Sequence, residues 1–125
     1  MKPFPVIAFI LFAHAACADP FTNRVAAGQA ASVTPAGIQF DASVSPLIAN
    51  TGQICDPPGS VLPAADIGQF QLVGDVTRTG KLINVAVRPQ TPIAECFALQ
   101  FARNMFALPP TGGNYPILVQ FNVSK

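Results

Sequence analysis

The chain has no tryptophan, one tyrosine and one histidine, and only 10% of its residues carry charge. The single histidine, His14, sits in an apolar N-terminal stretch. Beyond it there is no imidazole to act as a base or bind a metal, so His-dependent triads and His-based zinc sites are excluded from the rest of the chain. Net charge is +1, and Arg24, Arg78, Lys81, Arg88, Arg103 and Lys125 are scattered rather than clustered. No electrostatic footprint for nucleic acid or an acidic membrane surface is present. The carboxylates Asp41, Asp56, Asp66, Asp75 and Glu95 share no recognisable catalytic spacing. Asp56 and Asp75 lie beside turn sequence, where Asp commonly caps backbone donors. No glycine pattern ends in a phosphate-binding Lys-Ser/Thr pair. No catalytic residue, metal site or cofactor is expected, and the chain does not read as an enzyme.

What is present begins at the N-terminus. Met1-Lys2-Pro3 precedes an apolar run over residues 4–13, then small residues in His14-Ala15-Ala16-Cys17-Ala18. Ala16 and Ala18 satisfy the small-x-small rule, so residues 1–18 are expected to be a cleaved signal peptide, with cleavage before Asp19. The run is shorter than the roughly 20 residues of a membrane span, and no span is expected after cleavage. The competing reading is a lipoprotein anchored through Cys17; His14 stands where a lipobox wants a leucine-like residue. Cleavage would place the domain in the periplasm, equalise its acidic and basic residues, and leave Cys55 and Cys96 as an even pair. In an exported small domain such a pair is expected to form one disulfide.

Residues 19–66 are rich in Ala, Ser, Thr, Pro and Gly and read as an irregular N-terminal segment. Residues 21–31 suggest a short helix. Ile38, Phe40, Ala42 and Val44 alternate with polar residues as in a half-buried strand that Pro46 would end. Asn50-Thr51-Gly52 and Asp56-Pro57-Pro58-Gly59 are turn signals. Val33-Thr34, Gly37 and Val44-x-Pro46 echo Val76-Thr77, Gly80 and Val87-x-Pro89, a degenerate match short enough to arise by chance.

Residues 67–125 have a firmer pattern. Strands over 69–76 and 82–87 flank the hairpin turn Thr77-Arg78-Thr79-Gly80. Thr91 is placed to cap a helix, with Pro92 at its first position and Glu95 in its first turn. Ile93, Phe97, Phe101 and Met105 form an apolar stripe beside Ala94, Ala98, Ala102 and Phe106. After Pro109-Pro110-Thr111-Gly112-Gly113, the residues Tyr115, Ile117, Val119, Phe121 and Val123 alternate as a strand. Pro116 cannot donate a ladder bond, which suits a sheet edge. The order strand–turn–strand–helix–strand predicts an α+β domain, a small antiparallel sheet with one helix packed on it.

Asp75-Val76-Thr77, Gly80 and Asn84-Val85, followed by Phe106, Pro109-Pro110, Gly112-Gly113 and the strand over 115–123, resemble the TonB C-terminal domain family. The resemblance runs from about residue 70 to the C-terminus. Some stand-alone relatives also carry a Cys early in the helix, as Cys96 is placed. The energy-transducing members have an uncleaved anchor and a long Pro-rich spacer; neither pattern occurs in these 125 residues, so motor coupling is not expected. The resemblance implies a non-catalytic periplasmic binding module whose C-terminal strand meets an extended peptide of another envelope protein. Tyr115, Ile117, Val119, Gln120, Phe121 and Asn122 are the corresponding site residues. The opposing reading is that this strand's apolar face is core and its edge is covered. An exported inhibitor or immunity-type protein that blocks a partner enzyme is the alternative function.

Overall fold

Three helices in the chain start the same way, with a capping side chain followed by proline. Asp19 accepts from the N–H of Thr22, Thr34 from that of Gly37, and Thr91 from that of Ala94. Each satisfies a donor that has no partner within its helix, and the following proline sits where no N–H is needed. In the computed structural model, which describes residues 19–124, these starts open α1 (Pro20–Ser32), α2 (Pro35–Cys55) and α3 (Pro92–Phe101). The expected leader, including Cys17 and His14, lies outside the described residues. A 3-10 turn over Ala64–Asp66 leads to β1 (Gly68–Val76), β2 (Leu82–Arg88) follows, and β3 (Tyr115–Val123) ends the fold.

The sheet is antiparallel in the order β2-β1-β3, and the fold is α+β as expected. Its register puts Leu72 between Val87 and Val119, and Val76 between Leu82 and Tyr115. Those side chains share one face, where they meet Phe40 and Val44 of α2 and Ile93, Ala94, Phe97 and Phe101 of α3. Phe97 is the hub, with ring centroids 5.5 Å from Phe70, 5.2 Å from Phe101 and 5.0 Å from Phe121. Edge-to-face and offset contacts of this kind stabilise by about 1 kcal/mol each beyond their buried area.

The short helix expected at 21–31 is present as α1, but residues 35–55, expected to be irregular with a strand, form a second capped helix. The expected strand at 38–44 is the second and third turn of α2. Phe40 and Val44 are buried, as both periods allow, but Ile38 is 61% exposed. The helical face that faces inward continues through Gly37, Thr51 and Gly52. Pro46 does not end the helix. It forfeits one bond to the carbonyl four residues back, and α2 runs on to Cys55. The turn signal at Asn50-Thr51-Gly52 is also helical. Thr51 donates its hydroxyl to the Leu47 carbonyl at 2.7 Å, and Gly52 lets the Phe121 ring lie against the helix. Residues 33–46 therefore form no second hairpin, and their echo of 76–89 has no structural counterpart.

Where one helix was expected on the sheet, three helices among the described residues pack on its two faces. α2 and α3 cover the aromatic face. α1 lies on the other, where Arg24 approaches Asp75 at 3.7 Å and the Arg88 guanidinium stacks 4.5 Å above the Phe21 ring. α3 ends at Phe101, a turn earlier than its stripe suggests, because Asn104 bonds back to the Phe101 carbonyl. Met105 is consequently exposed, whereas Phe106 folds back edge-on to Phe101. The hairpin turn is as expected. Gly80 has φ +85°, and its N–H donates to the Thr77 carbonyl at 2.9 Å.

Cys55, the last residue of α2, is bonded to Cys96 in the first turns of α3, with 5.9 Å between Cα atoms. The bond closes a loop across a sequence separation of 41. Opening it by Cys55→Ser with Cys96→Ser should cost about 3–4 kcal/mol of unfolding free energy in urea. Two free thiols by intact mass after alkylation of the native protein would contradict the bond.

Asp19 also joins α1 to β2, its carboxylate accepting from Arg88 at 3.1 Å. That bond, then those from Thr22, lowers its pKa from 3.8 to about 2. A lowered carboxyl contributes stability above its unfolded pKa and loses it as pH falls through the folded value. The stability difference between the native protein and Asp19→Asn, small because the pair is exposed, should therefore close between pH 3.8 and about 2. Acid titration of urea unfolding reads this directly.

Candidate functional site

The C-terminal strand β3 pairs with β1 alone, so its other side is a sheet edge. A strand with one neighbour presents half its backbone N–H and C=O groups away from the sheet. Of the expected site residues, Tyr115, Ile117 and Val119 turn their side chains into the core. They can offer a partner backbone, not side chains. Phe121 is half-buried among Phe70 and Phe97, and only Gln120 and Asn122 project freely. The site is thus an edge with a short polar face, not an apolar surface.

Two helices frame that edge unequally. On the face away from the aromatic core, α1 crosses β3 at Gly28, where a Cβ would stand 2.7 Å from the Cβ of Leu118 and 3.0 Å from its nitrogen. Only glycine permits this approach, because the obstructing atoms belong to the strand itself. The cover does not extend to Gln120 and Asn122, which remain exposed. On the aromatic face, α2 runs beside the edge and leaves a groove of about 170 Å³. Asp41, Val44, Ser45 and Ile48 form its helical wall, and β3 residues 117–120 its floor. Phe40 and Val44 fit a strand period as well as a helical one, so the sequence pattern does not place Asp41, Ser45 and Ile48 beside this edge.

Asp41 is the charged residue of this groove. Among the described residues, no side chain or backbone N–H is paired with its carboxylate, and burial raises its pKa from its ordinary value. The Tyr115 phenol, which donates to the Ala31 carbonyl at 3.3 Å, is raised by burial and secondarily by Asp41. Four of the other five acids are occupied, Asp19 by Arg88 and Thr22, and Glu95 is the exception, exposed in the first turn of α3. Asp66 accepts from the N–H of Ile93 at 3.3 Å, Asp75 from Asn84 at 3.3 Å, and Asp56 from the Ser60 hydroxyl at 2.8 Å.

The opposite edge, β2, is built differently. A bulge interrupts its pairing with β1 between Val73 and Asp75, and Asn84 adopts φ 55° there. Arg24 of α1 donates to the Asn84 carbonyl. A bulge and a bonded carbonyl both blunt an edge against strand pairing. Beside β2 lies an open apolar groove lined by Val85, Val87, Ala98 and Leu99, without a regular edge to extend. Of the two edges, β3 is the regular one. Among the described residues no helix is long and apolar enough to cross a membrane.

No protein-family model, curated protein or solved structure matches this chain.

Because α1 touches β3 backbone through Gly28, Gly28→Val should force the helix off the strand. A loss of about 1–3 kcal/mol is expected from overpacking of this kind, measured by denaturant unfolding. Unchanged stability would mean that α1 is not seated on β3.

Proposed function

We propose that this protein is a non-catalytic, periplasmic protein-binding module that takes an extended peptide segment of another envelope protein as an additional strand along β3. The observation that carries this reading is the regular, unpaired outer side of β3, which α1 leaves uncovered at Gln120 and Asn122 while the bulged β2 edge is blunted. Strand addition draws affinity from main-chain hydrogen bonds, and alternate side chains of the peptide supply specificity. The order hairpin–helix–edge strand and its resemblance to TonB C-terminal domains support the same use of the strand. A binding role also fits the carboxylates, four of which are engaged as caps or pairs within the fold.

The leader pattern of residues 1–18 and the Cys55–Cys96 bond, of a kind that persists in oxidising compartments, support the periplasmic reading.

Site-specific photocrosslinking in the producing cell tests the proposal. A benzophenone side chain at Gln120 or Asn122 should give a discrete adduct whose partner segment is identified by mass spectrometry. The same probe at Leu99, beside β2, should give none. Adducts from Leu99 alone would overturn the assignment. A single hydrolase captured in one-to-one ratio, through contacts away from β3, would replace it with enzyme inhibition.

A further inference from the structure

The groove between α2 and the β3 edge holds one carboxylate that the fold does not use. Asp41 lies in the second turn of α2, half-buried, and lines the groove together with Val44, Ser45 and Ile48. Both ion pairs among the described residues lie elsewhere, Arg24 with Asp75 and Arg88 with Asp19. A charge withdrawn from water without a partner costs stability, so the fold alone gives no reason for an acid here. Replacing it by a neutral amide should leave stability the same or higher.

Size and position restrict what Asp41 can serve. A cavity of about 170 Å³ lies below the roughly 300–1,000 Å³ usual for small-molecule sites. It suits one side chain. β3 residues 117–120 form its floor, so a side chain projecting from a strand that lies along this edge would reach it. In an added strand successive side chains alternate between faces. A residue turned toward α2 enters the groove, and its neighbours point toward the face where Gln120 is exposed.

Resting on the strand-addition reading, we infer that the β3 edge selects an extended segment carrying a lysine or arginine, whose aliphatic stem lies along Val44 and Ile48 and whose cationic head pairs with Asp41. Long basic side chains are suited to such a site because their methylene stems pack on apolar surface while the head reaches a polar partner. The same carboxylate opposes segments that place an acid at this position, so Asp41 discriminates as well as attracts.

The test uses the purified protein and three synthetic Thr/Val-alternating peptides that differ in one central residue, Lys, Gln or Glu. Calorimetry should give the Lys peptide an affinity about 5-fold tighter than the Gln peptide, equivalent to about 1 kcal/mol, with the Glu peptide weakest. Asp41→Asn should remove the Lys preference without lowering the unfolding midpoint. Backbone amide shifts record where each peptide sits. Equal binding of all three at the β3 amides would overturn the cation preference and leave strand addition standing. Lys-dependent binding that leaves the β3 amides unmoved, or absence of binding by every peptide, would overturn both. A loss of stability in Asp41→Asn would show that the carboxylate serves the fold and contradict the inference.

Discussion

The bond between Cys55 and Cys96 fixes where α2 can lie, and the site depends on that placement. α2 has a proline in its interior and an inward face made partly of Gly37, Thr51 and Gly52. Such a face buries little apolar area for its length, and hydrophobic stabilisation scales with the area buried. The helix is instead held by local attachments. Phe40 meets Tyr115 edge-on at 5.0 Å near its start, Thr51 accepts from Asn104 at 3.4 Å, and the disulfide joins its end to α3. With both ends held, the middle of α2 runs beside β3 and supplies the groove wall.

The sheet is asymmetric in a way that bears on function. β1 is central, with Phe70, Leu72, Val73, Gly74 and Val76 buried, while its two neighbours are edges with different finishes. β2 carries the bulge and gives its Asn84 carbonyl to Arg24. β3 is continuous through its register with β1 from Tyr115 to Val123. An exposed regular edge invites unwanted pairing unless it is managed. Here α1 covers the edge near Leu118 by approaching through Gly28, and Pro116 removes a donor nearby. The remaining open stretch is short. A short edge limits self-association while leaving room for a few residues of a partner.

The second half of the chain was legible because each element has its own local signal. Gly80 at positive φ, the Thr91-Pro92-Glu95 start and the alternation from Tyr115 all act within a few residues. The first half misled for a physical reason. Phe40 and Val44 satisfy a strand period and a helix period equally, and Pro46 and Gly52 argue against a long helix. The deciding positions, Gly37, Thr51 and Gly52, are buried without being apolar in the usual sense. One signal was available: Asp19-Pro20 and Thr34-Pro35 repeat the cap-and-proline start that marks Thr91-Pro92. Asp41 could not be recognised until α2 was, since only the helix places it beside β3. The strand was legible in its alternation, and of the two readings of its apolar face the one that puts Tyr115, Ile117 and Val119 in the core holds.

The central claim is that β3 has a free edge able to take another strand. Amide hydrogen exchange resolved along β3, in the free protein and with a bound peptide segment, tests it most directly. Alternate amides between Leu118 and Asn122 should exchange rapidly when free, while those paired with β1 stay protected, and binding should slow the rapid set alone. Uniform protection of β3 in the free protein, or slowing confined to β2, would contradict the account.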